Sequence, residues 1–130
     1  MTISWTATSP ISGRFEPIER VGVDSLIARF EELRARGRGY AEVRGDLEFP
    51  VLTLGFTGCV GVIHLMANEN ETSLLVADSP GPSAAEVLVM DELIEFAPEF
   101  VLSLELAWLV VMEFVQTGDA ARAGEWCELQ

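Results

Sequence analysis

Val51-Leu52-Thr53-Leu54-Gly55-Phe56-Thr57-Gly58-Cys59-Val60-Gly61-Val62-Ile63-His64-Leu65-Met66 is the stretch that decides the fold. It holds two apolar runs, residues 51–56 and 59–66, joined by Thr57-Gly58. Apolar runs of strand length on either side of a glycine turn specify an antiparallel hairpin. The second run is apolar on both of its faces, which places it inside a sheet rather than at the rim.

Strand patterns continue outward on both sides. Residues 40–44 alternate, with Ala41 and Val43 opposite Tyr40, Glu42 and Arg44. Residues 68–71 (Asn-Glu-Asn-Glu) form a polar turn into a strand over 72–77. The stiff loop Ser79-Pro80-Gly81-Pro82-Ser83 follows. Residues 86–90 return as a strand whose far end is charged, with Asp91, Glu92 and then Glu95. Residues 2–8 form a first strand, and 9–21, with Pro10, Gly13 and Pro17, a loop or edge.

Two segments carry a helical period instead. Val23, Leu26, Ile27, Phe30 and Leu33 make an apolar stripe, with Asp24 placed to cap its start and Gly37 to stop it. After Pro98, Ser103 caps a helix over 104–117 that is apolar on most of its surface, and Gly118 ends it. Only Glu105, Glu113 and Gln116 mark a wet side, so near-complete cover by the sheet is expected. A last strand spans 124–129. The sum is one α+β domain over 1–130, a mainly antiparallel sheet with two helices packed on one face. Trp108 and Trp126 are expected mostly buried, holding the last helix and strand to the sheet.

Composition narrows the function. The chain has 130 residues and a net charge of −13, and every cation is an arginine. Residues 1–44 carry seven arginines against six acids, whereas residues 45–130 carry fifteen acids against Arg122 alone. Phosphate backbones and anionic membranes are repelled by such a field, and a basic partner is attracted. No apolar run approaches the ~20 residues of a membrane span. The start, Met1-Thr2-Ile3-Ser4-Trp5, has no basic segment leading into an apolar one, so a cytoplasmic location is expected.

Catalytic constellations are scarce. Without lysine, P-loop, Schiff-base and Ser-Lys arrangements are ruled out. His64, the only histidine, sits mid-strand beside Val60, Val62 and Met66 and reads as a packing residue. Gly55, Gly58 and Gly61 fit hairpin geometry and twist, since no strand-to-helix phosphate turn follows them. Asp91, Glu92 and Glu95 lack the spacing of a calcium loop and read as a solvated strand end. A spatial carboxylate pair for glycoside chemistry stays open, with no pair singled out. Cys59 and Cys127 lie far apart in apolar runs and outside any C-x-x-C pair, so they read as buried, reduced thiols. No metal and no cofactor is called for.

In the C-terminal third, Leu104-Glu105-Leu106-Ala107, then Glu113-Phe114-Val115-Gln116-Thr117-Gly118, then Glu125-Trp126, resembles the closing signature of a bacterial immunity-protein family. It is the first immunity family of polymorphic toxin systems, whose members commonly sit beside SCP-type deaminase toxins. Members often carry a proline just after Thr-Gly, where this chain has Asp119-Ala120-Ala121. The resemblance implies a non-enzymatic inhibitor that covers the active-site cleft of a basic, nucleic-acid-acting toxin domain. Carboxylates would lie where phosphates otherwise bind. The candidate contact residues are Glu69, Glu71, Asp78, Asp91, Glu92 and Glu95, all at turns or strand ends. Two other readings stand beside this one: an inhibitor of a different toxin class such as a ribonuclease, and a small-ligand-binding α+β domain.

Overall fold

The computed structural model describes residues 1–129. Its elements, in chain order, are β1 (Ser4–Thr8), β2 (Phe15–Val21), α1 (Val23–Arg36), β3 (Arg38–Arg44), β4 (Val51–Thr57), β5 (Val60–Asn68) and β6 (Glu71–Leu75). There follow β7 (Ala85–Val89), β8 (Glu92–Phe96), β9 (Leu102–Ser103), α2 (Leu104–Thr117) and β10 (Trp126–Glu128). The main sheet runs β10-β6-β5-β4-β3-β1-β2, with β9 adding to β5, and β7 and β8 form a separate hairpin. All its pairings are antiparallel. The α+β class and the two helices on one sheet are therefore as the periodicities indicate.

The β4–β5 hairpin sits at the centre. Thr57 pairs with Val60, leaving Gly58-Cys59 as a two-residue loop. Such loops need a positive φ, and Gly58 supplies 60°. The loop is also where the helices are tied in. Gly58 N–H donates to Gly37 O at the end of α1 (2.7 Å), and Leu104 N–H at the start of α2 donates to Cys59 O (2.8 Å).

Every residue of β4 from Val51 to Phe56 is buried, which requires cover on both faces. Leu52, Leu54 and Phe56 point into the larger core with Trp5, Ile63 and Leu75, beneath Leu26 and Phe30 of α1 and Ala107, Val111 and Phe114 of α2. The two helices meet where Phe30 stacks on Trp108, with ring centroids 3.9 Å apart and planes 3° off parallel. The alternate residues face the β7–β8 hairpin, where Val62, Leu74 and Val87 form a second, smaller cluster. Gly55 makes this approach possible: a Cβ there would lie 2.2 Å from Leu88 O. The molecule thus has three layers, helices, sheet and hairpin, and the periodicities do not predict the third.

Several local expectations are corrected. Residues 92–96 pair as β8 rather than ending a strand, whereas 15–21 take the edge position open to them, as strand β2. The cap of α1 is Gly22, and Asp24 lies in the first turn. Ser103 does cap α2, its Oγ accepting from Leu106 N–H at 3.3 Å. Cys59 and Cys127 are both exposed: pairing register places Cys59 at the hairpin tip, and Cys127 belongs to a three-residue edge strand. Trp108 and Trp126 are half-buried, whereas Trp5 is fully enclosed. Helix α2 is covered on one side only, leaving Leu106 and Leu109 more than half exposed (55% and 59%). It forms an outer layer, so only the face bearing Ala107, Val111 and Phe114 reaches the sheet.

Candidate partner-binding surface

The charge asymmetry of the sequence survives folding. The ion pairs among the described residues are Arg20–Glu16 (2.9 Å), Arg29–Glu16 (3.7 Å), Arg29–Glu32 (3.8 Å) and Arg44–Glu19 (3.6 Å). All join arginines and acids of the N-terminal third. Arg20 first, and Arg29 with it, holds the Glu16 carboxyl below the usual carboxylate range. Among the described residues, no acid from Asp46 to Glu128 is paired with an arginine, so the N-terminal cations do not compensate the acidic two thirds.

The six carboxylates singled out by the sequence fall into three places. Glu69 lies in the β5–β6 turn and Glu71 opens β6. Asp78 follows β6 and rims an open groove of about 340 Å³ with Glu113, beside the exposed Leu106 and Leu109 of α2. Asp91, Glu92 and Glu95 come together on the β7–β8 hairpin. Sequence reasoning misses their companion: Glu86 of β7 stands directly opposite Glu95 of β8. Like charges in that position destabilise a strand pair. Recognising residues 92–96 as a strand would reveal the pair, but acids on both of its faces hide the alternation.

Asp91 differs from its neighbours because its side chain has a structural bond. In the two-residue turn Met90-Asp91, Met90 takes a φ of 57°. Asp91 Oδ1 accepts from Phe15 N–H at 2.7 Å, fastening the hairpin tip to the edge strand β2. Glu92 and Glu95 remain exposed, and their side chains have no hydrogen-bond partner among the described residues. They are flanked by exposed Met90, Leu93 and Ile94.

Behind the hairpin lies a polar stripe of the sheet. Tyr40 is buried, and its hydroxyl donates to Glu42 Oε2 at 2.7 Å. Burial, reinforced by the Glu42 carboxylate, raises the Tyr40 pKa far beyond the physiological range. His64 packs edge-on against Phe96 of β8, ring centroids 5.5 Å apart, and burial lowers its pKa. Among the described residues it has no hydrogen bond to a serine, cysteine or acid, so the geometry gives it a packing role between sheet and hairpin.

Beneath α1 and α2 lies a cavity of about 10 Å³ lined by apolar groups including Leu26, Phe30, Leu54 and Trp108. That is at most one water's worth of room, too small for a substrate. No helix among the described residues is long and apolar enough to cross a membrane. Compared with known proteins, the chain matches no family model and no curated protein.

Proposed function

We propose that the protein is an immunity protein, acting in the cytoplasm without catalytic groups of its own. Its target is a basic toxin domain that works on nucleic acid, a deaminase by the resemblance of residues 104–126. The observation that carries this reading is the uncompensated hairpin. Glu86, Glu92 and Glu95 share one small exposed element, and none forms an ion pair with a cation among the described residues.

Uncompensated carboxylates lower the stability of a free hairpin and gain energy only when a cationic surface meets them. A toxin that grips nucleic acid has such a surface at its cleft. A field of this sign also speeds encounter, by ~10–10³ fold at low salt. The remaining candidates, Glu69, Glu71 and Asp78, extend the field beyond the hairpin. A toxin whose base-binding pocket is covered loses access to its flipped-out substrate.

Co-expression with the product of the adjacent gene tests the reading. A stable complex that suppresses deamination of nucleic acid supports it. A complex that suppresses RNA cleavage instead would move the protein to the ribonuclease-inhibitor class. Absence of any complex, together with specific binding of a small ligand, would overturn it.

A further inference from the structure

The main sheet protects both of its edges. At one end β2 carries Pro17, which has no N–H to offer, and its pairing with β1 is broken by a register shift between Trp5 and Ala7. At the other end β10 is only three residues long. Prolines, irregular pairing and short strands are the usual means of blocking edge-to-edge association. On the β7–β8 hairpin the outer strand lacks those backbone devices and is guarded by charge alone, Glu92 and Glu95, which a cationic strand would meet favourably. β8 spans Glu92 to Phe96 without proline or register shift, and it pairs with β7 alone. Among the described residues, no hydrogen bond from outside the hairpin reaches the backbone of Glu92, Leu93, Ile94 or Glu95.

We propose that the open edge of β8 is a docking edge that accepts an extended, basic strand from a protein partner, making the hairpin three-stranded. The acids select the occupant. Pairing with a second copy would bring together two acidic chains, each carrying −13 and each bearing Glu92 and Glu95 along the same edge. A strand with Lys or Arg at alternate positions meets the opposite situation. A cation facing Glu95 also relieves its opposition to Glu86, because Glu86, Glu95 and the incoming side chain lie in one row across the hairpin. Exposed Leu93 and Ile94 supply apolar contact between the charged positions. The proposal rests on the preceding reading only in the sign of the partner's charge.

The test uses the full-length ¹⁵N-labelled protein and two short peptides of alternating lysine and valine. One of them carries N-methyl groups on every second backbone amide, which keeps charge and side chains but removes the donors of one edge. The unmodified peptide should shift and slow the exchange of amides within Glu92–Phe96, and the methylated twin should bind about tenfold more weakly. Equal binding of both peptides would overturn the edge proposal while leaving electrostatic attraction to a basic partner intact. Shifts confined to β2, β10 or the groove beside α2 would overturn it too, as would a dimer of the protein formed through β8. Should the adjacent gene product fail to bind while the unmodified peptide docks on β8, the toxin reading falls and the docking edge stands.

Discussion

Glu86 and Glu95 face each other across the β7–β8 hairpin, two carboxylates in cross-strand register with no cation paired to either among the described residues. The arrangement opposes folding of the element that carries it. Glu95→Gln should therefore raise stability by ~0.2–1 kcal/mol, read as an upward shift in the thermal or urea midpoint. An unchanged or lowered midpoint would mean that local geometry already relieves the repulsion.

Gly55 sets how closely that hairpin approaches the sheet. Gly55→Ala places a Cβ where Leu88 O stands, and the rigid backbone of β7 has to move. A loss of ~1–3 kcal/mol is expected, with amide exchange in β7 and β8 accelerating more than in β4. Uniform acceleration throughout the domain would show that hairpin and sheet unfold as one unit.

His64 gives the hairpin a pH dependence of definite sign. Burial lowers its pKa, so the unfolded chain takes up a proton at ~6.5 while the folded protein still resists it. Stability from the neutral ring is complete above that value and declines as pH falls through it toward the folded pKa. Glu16, whose carboxyl is held low by Arg20 and Arg29, loses its contribution only at lower pH, below the ordinary carboxylate value. Denaturant titrations from pH ~7.5 to ~5 should show a decline that is shallower in His64→Leu. Parallel profiles for the two proteins would contradict the burial of the ring.

Cys59 and Cys127 should both react with a maleimide in the native protein, as exposed thiols do. They lie on the β4–β5 loop and on β10, and melting should be the same with and without reductant. Protection of either thiol until unfolding would restore the buried placement that their apolar neighbours suggest.

The exposure of these thiols and the other corrections share one cause. Period-2 and period-3.6 patterns report which faces are apolar, and they locate the β4–β5 hairpin, α1, α2 and the class of the fold. They do not report which turn residue a register leaves at the tip, and so Cys59 reads as strand. Nor do they show whether an apolar helix lies inside a molecule or over it, and so α2 reads as enclosed although Leu106 and Leu109 face out. The strand β8 is illegible because Glu92-Leu93-Ile94-Glu95 follows neither period. Of the candidate surface, the acidity is plain in the sequence. The gathering of Glu86, Glu92 and Glu95 on one element depends on pairing at a distance, and the bond from Phe15 N–H to Asp91 depends on residues 76 positions apart.

The proposed role of these hairpin acids is to meet a basic partner. The direct measurement is the association rate of the protein with the product of the adjacent gene, over salt concentrations that shorten the Debye length from ~10 Å to ~3 Å. The wild-type rate should fall steeply across that range. Asp91→Asn, Glu92→Gln and Glu95→Gln combined should bind about tenfold more slowly at low salt, with a flattened salt dependence and an unchanged fold. The Asp91→Asn change keeps a side-chain carbonyl that can still accept the Phe15 N–H bond, so the hairpin tip stays fastened. Unchanged rate and salt slope in the triple variant would contradict that role and move the interface away from the hairpin.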